Sequence, residues 1–117
     1  MKPMSEAHFA ILRRHMVEAG QAEANLRQLG CSDVAIRIGD GSRGWREHAP
    51  YDRALVTAAA ERLPPAILDQ IKPRGRIVLP LGSDAAQWLT VVDKGADGQT
   101  RVRELIRVRF SRLETVV

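Results

Sequence analysis

Cysteine is almost missing: Cys31 is the only one in 117 residues, so no internal disulfide can form. No second cysteine or spaced histidine pair offers it a metal partner, and it reads as a small core or surface thiol. Aromatic residues are nearly as scarce, with two Phe, two Trp and one Tyr, which leaves little for stacking bases. No apolar run approaches the roughly 20 residues that a membrane helix needs. The opening MKPMSEAHFA lacks the basic-then-apolar layout of a signal peptide. The expected compartment is therefore the cytoplasm, with no membrane partner. Lysine is rare as well: 15 of the 18 basic residues are arginine, the net charge is +4 and the pI is about 10.0. That balance permits nucleic-acid or acidic partners. The arginines are scattered, however (Arg13, Arg14, Arg27, Arg37, Arg43, Arg46, Arg53 and onward), and read as a solvated basic surface. Nucleic acid is not the expected partner.

What is present suffices for a core. With 44% hydrophobic and 27% charged residues the chain has ordinary globular composition, and its length suits one domain, residues 1–117. In SEAHFAILRRHMVEAGQAEANLRQLG, the residues Phe9, Leu12, Met16, Ala19, Ala22, Leu26 and Leu29 fall at three- and four-residue steps. They predict one long helix within residues 1–30, with Ser5 as N-cap, Gly30 as the stop and Gly20 as a site for a bend. VAIRI (34–38) predicts a short strand, and ALVTAAA (54–60) a buried strand passing into a loop. LPPAILDQIKPRG predicts a helix opened by its prolines and stopped by Pro73 and Gly75. RIVLPLG (76–82) predicts a strand with Pro80 at its end or on an edge. WLTVVDK (88–94) and VRELIRVRFSRL (102–113) flank Asp97-Gly98, a hairpin signal, and should pair antiparallel. A strand, helix, strand core with a terminal hairpin is an α/β arrangement with parallel pairing at its centre.

Five segments carry a resemblance that spacing does not supply: AEANLRQLG, VAIRIGDGSRGWREHAPYDRALVTAAA, LPPAILDQIKPRGRIVLPLG, AQWLTVVDK and VRELIRVRFSRL. In this order, from about Ala22 to Leu113, the chain resembles the C-terminal half of the protein-L-isoaspartate O-methyltransferase family. The resemblance implies a truncated Rossmann-like methyltransferase fold, a mainly parallel sheet with a C-terminal antiparallel hairpin. The family reaction it implies is methyl transfer from S-adenosylmethionine to isoaspartyl carboxylates of damaged proteins. Residues 31–117 carry the likeness. No G-x-G stretch precedes the GDG turn, where the family has its glycine-rich cofactor loop. Registering ANLRQLG against the family sets Arg13 or Arg14 near the place of the ribose-binding acid, and a guanidinium has no acceptor for ribose hydroxyls. Further departures are Glu61, where proline is common, and Arg74, where a second glycine is usual.

By resemblance Asp40 accepts from the adenine amino group and Gly41 lets the backbone come close. Read from the residues alone, an Asp between glycines caps a turn. Thr57 lies, by resemblance, beside the methyl donor, with Ala58–Ala60 leaving room; an alanine run is also good helix or core material. Gln87 matches a family glutamine near the site. Trp45 reads as a packing anchor for its loop and His48 as a surface histidine. His8 and His15 share a helix face without a third metal ligand. A chain lacking the glycine loop and ribose acid is expected to bind S-adenosylmethionine weakly or not at all. Its exposed sheet edge would then invite a homodimer, and a non-catalytic partner-binding module is the alternative to an enzyme.

Overall fold

The computed structural model describes residues 6–31 and 33–113, with side chains from residue 17 onward. The expected cap Ser5 and the side chains of His8, Arg13, Arg14 and His15 lie outside the described residues. The chain divides into two compact units, one reaching to Gly39 and one from Asp40 on.

In the first unit, helix α1 spans Glu6–Gln28 and runs without interruption through Gly20. It ends as its sequence foretells. Gly30 takes φ 77°, its N–H reaches Arg27 O (3.1 Å), and Cys31 N–H reaches Leu26 O (2.8 Å). This Schellman pair satisfies two carbonyls that the last turn leaves open. VAIRI is corrected here: residues 34–38 join no ladder and are exposed. Alternating β-branched residues make a strand only when a neighbouring strand receives their backbone groups, and none does so among the described residues.

The second unit holds a four-stranded sheet in the order β1-β2-β3-β4, from β1 (Tyr51–Leu55), β2 (Ile71–Gly82), β3 (Gln87–Lys94) and β4 (Thr100–Val108). β1 and β2 pair parallel; β2–β3 and β3–β4 pair antiparallel. Ile77, Leu79 and Val92 are buried on one face with Ile71 and with Ile67 of helix α2 (Pro65–Asp69). Each such side chain contributes about 1.5–3 kcal/mol. The expected hairpin is present: Gly98 has φ 83°, and Gly95 N–H donates to Gln99 O at 2.6 Å.

Three boundaries differ from expectation. Helix α2 is a single short turn, and Ile71, expected on its apolar face, already belongs to β2. A proline ring at 73 would collide with the carbonyl of residue 69 in a longer helix. Lys94 Nζ instead donates to the carbonyls of Leu68 (3.1 Å) and Ile71 (3.0 Å). Second, Pro80 sits inside the central strand β2 and is fully buried. Its carbonyl accepts from Ala60 N–H, so its nitrogen faces the β1 side, where a regular parallel ladder would need residue 80 to donate to Val56 O. Lacking that donor, the ladder stops after the bond from Val56 N–H to Val78 O (2.9 Å), and ALVTAAA leaves the sheet at Thr57. Third, β4 ends at Val108. Residues 111–113 turn back to flank Ala59, whose N–H donates to Ser111 O (2.7 Å) and whose carbonyl accepts from Leu113 N–H (2.8 Å).

Candidate functional site

Ala59 and Ala60 form a two-residue splint, with Ala60 bridged to Leu81 at the end of β2 and Ala59 bridged to Arg112. This puts the returning chain at the carboxyl end of the parallel pair, where ligands of open α/β sheets bind. A groove of roughly 650 Å³ opens there. Ser42 lines one side, the stretch from Ala59 through Ala66 supplies much of the rest, and Arg112 and Leu113 close it. The alanine run is thus neither helical nor a plain strand; the small side chains of Ala59 and Ala60 line the groove.

Asp40 caps the 3-10 turn Gly41–Arg43 beside this groove. Its Oδ1 accepts from Ser42 N–H (3.0 Å) and Ser42 Oγ–H (2.6 Å), while Oδ2 lies 3.8 Å from Arg43 Nε. The turn-capping reading is therefore physically realised, and Oδ2 keeps acceptor capacity. A Cβ at Gly41 would sit 3.7 Å from Leu113, so the GDG turn and the returning chain are neighbours.

The loop after this turn is held by a residue that sequence reasoning missed. Gln70, 5% exposed, accepts from Trp45 N–H (2.8 Å) and donates to Arg43 O (2.9 Å). Gly44, at φ 66°, makes room for it: a Cβ there would collide with Gln70 Oε1. Tyr51 adds a hydroxyl donated to Trp45 O. Trp45 also meets His48 edge-on at 4.8 Å, and His48 is exposed, as expected.

Gln87 is 4% exposed, and both ends of its amide serve the backbone of Phe110: Phe110 N–H donates to Oε1 (2.8 Å) and Nε2 donates to Phe110 O (3.1 Å). It fixes the start of the segment that carries Arg112 and Leu113. Thr57 is exposed just beyond the last ladder bond and does not line the groove. Of the expected site residues none lines the groove itself: Asp40 and Gly41 adjoin it through Ser42 and Leu113, Gln87 is linked to it through Phe110, and Thr57 stands apart. Cys31 is exposed, and no metal-binding group of His, Cys, Asp and Glu occurs among the described residues.

Away from the groove, Arg76 and Asp93 face each other across β2 and β3, with Arg76 Nε 2.6 Å from Asp93 Oδ1 and Arg103 at 3.7 Å. The hydrogen bond from Arg76 holds the Asp93 carboxyl below its usual range, and the same bond raises Arg76.

Residues 11–115 match the sequence profile of the protein-L-isoaspartate(D-aspartate) O-methyltransferase family. The chain belongs to that family. A protein-L-isoaspartate O-methyltransferase 2 of Syntrophobacter fumaroxidans is 46% identical over 93 residues, covering 79% of this chain and 38% of that protein. The Archaeoglobus fulgidus protein of the same description is also 46% identical, over 92 residues, covering 79% of this chain and 42% of the relative. The chain therefore spans about two fifths of the length of such curated relatives. A solved protein-L-isoaspartate O-methyltransferase superposes with a TM-score of 0.72 at 27% identity, over 80% of this chain and 30% of its own. A second, from Plasmodium falciparum, described as a putative member in complex with S-adenosyl-L-homocysteine, gives 0.54 at 26% identity, over 60% and 31%. The mixed α/β sheet is thus that of the family's methyltransferase fold. No described helix is long and apolar enough to cross a membrane.

Proposed function

We propose that this chain supplies the adenine side and one groove wall of a site for methyl transfer from S-adenosylmethionine to isoaspartyl carboxylates of damaged proteins, in the cytoplasm. The observation that carries this reading is the Asp40 turn at the carboxyl end of the parallel pair, in a chain of this family. Asp40 Oδ2, which among the described residues meets Arg43 at 3.8 Å, has acceptor capacity for an adenine amino group, and Gly41 offers an approach without a side chain. Gln87 positions the wall by holding Phe110; a place for Thr57 beside the methyl donor rests on family resemblance alone, since it does not line the groove. The cofactor supplies a methyl group on a sulfonium. The acceptor carboxylate is already an anion, so the protein's task is alignment and exclusion of water rather than proton transfer. The described residues hold no acid placed for the ribose and no glycine-rich loop, so binding by this chain alone should be weaker than about 100 μM. Isothermal titration with S-adenosylmethionine and S-adenosylhomocysteine tests this. Tighter binding that Asp40→Ala removes would establish a working cofactor site in this chain; weak binding that Asp40→Ala leaves unchanged would sink the adenine assignment.

A second reading, a non-catalytic binding module that forms a homodimer, is favoured by one feature. Among the described residues β1 pairs with β2 alone, and Leu55 on it is 71% exposed. Such an edge is a template for another strand. Light scattering across a dilution series should report a dimer; a monomer throughout would discard this reading.

A further inference from the structure

The groove beside Asp40 is lined by apolar residues (Ala59, Ala60, Pro64, Ala66, Leu113) together with charged ones. Arg112 and Arg62 bring two guanidinium groups to it, against the single carboxylate of Glu61. Arg112 is the better fixed of the two, because its backbone is bridged to Ala59. Its guanidinium lies 3.3 Å from Glu61 Oε1 and 3.5 Å from Asp84 Oδ2, with all three side chains more than 60% exposed. Ion pairs at such exposure are worth only about 0.2–1 kcal/mol. An incoming carboxylate can therefore replace Glu61 or Asp84 at little cost and gain a forked, charge-assisted contact.

We propose that Arg112 is a specificity-determining residue of this groove: it receives a carboxylate borne by an extended peptide, and Glu61 is its internal competitor. The proposal rests on the reading that the site handles protein substrates, and it adds that acidic segments are preferred. A lining of alanine and proline leaves room for a peptide backbone with short side chains.

The test uses the full chain without S-adenosylmethionine, so that peptide recognition is separated from methyl transfer. Fluorescence anisotropy compares a labelled Gly-Ala-Glu-Ala-Gly peptide with its Gln counterpart. The Glu peptide should bind about tenfold tighter. Arg112→Gln should erase that difference while leaving the fold intact, since the bridge to Ala59 is made by backbone. Glu61→Gln should tighten binding of the Glu peptide a few-fold. Equal binding of the two peptides, a difference that survives Arg112→Gln, or glutarate competing as well as the Glu peptide would overturn the proposal. So would displacement of the peptide by S-adenosylhomocysteine, which would assign the groove to the cofactor. Peptide discrimination that survives while Asp40→Ala leaves S-adenosylmethionine binding unchanged would sink the adenine assignment and leave this proposal standing, so the two fail separately.

Discussion

Gln87→Leu removes the clamp on Phe110 while keeping a side chain of similar size. Two hydrogen bonds disappear, from Phe110 N–H to Oε1 at 2.8 Å and from Nε2 to Phe110 O at 3.1 Å, both made by a side chain that is 4% exposed. A buried backbone group left without a partner costs about 1–3 kcal/mol, so the pair sets an upper limit of about 2–6 kcal/mol. Phe110 is only half-buried, and its segment can peel into water, which should bring the loss down to about 2 kcal/mol. Peeling has a local signature, because the next contacts along the chain are the bonds from Ala59 N–H to Ser111 O and from Leu113 N–H to Ala59 O. Urea denaturation gives the global loss, and amide hydrogen exchange locates it. The Ala59 and Leu113 amides should exchange faster in the variant by more than the global loss accounts for, while β2–β3 amides such as Val92 follow the global change. Gln87→Glu should behave similarly, since a carboxylate would replace the donor facing Phe110 O. If Ala59 and Leu113 keep their protection in both variants, Gln87 is not what holds the groove wall.

Gly44→Ala should destabilise by about 1–3 kcal/mol, because φ 66° with ψ −155° is open essentially to glycine alone and the new Cβ would strike Gln70. Gly98→Ala, at φ 83° with nothing within 4 Å, carries the backbone cost without the collision; equal losses in urea unfolding would dismiss the Gln70 latch. Asp93 has a folded pKa below the ordinary aspartate value, chiefly through its hydrogen bond from Arg76. Its contribution is therefore present above that ordinary value and lost as pH falls through the lowered folded value. Asp93→Asn should flatten the decline of Tm on that acid side, and an unchanged decline would assign acid sensitivity to other carboxyls.

Local signals were legible where the interaction lies within a few residues. The helix stop at Gly30 needs only a left-handed residue and carbonyls one turn back, and the hairpin at Asp97-Gly98 needs only a positive φ between two apolar runs. The order of segments that marks the family was equally plain in the chain. The uses of Gln70, Gln87 and Arg112 were not, because their partners stand 25 or 27, 23, and 51 or 28 positions away, and a glutamine or arginine carries no pattern naming its acceptor.

For VAIRI and Pro80, propensity gave the wrong environment. A strand exists only where a second strand answers its hydrogen bonds, and a proline is tolerated in a central strand when its nitrogen faces the point where the neighbour departs. The aspartate of the GDG turn shows the same division. The residues Asp40, Gly41 and Ser42 by themselves determined a capped turn, since every atom involved lies within three positions. Only the tertiary structure set that turn against Leu113 and a groove at the carboxyl end of the sheet, because closure of the returning chain onto Ala59 depends on backbone groups more than 50 residues apart in sequence.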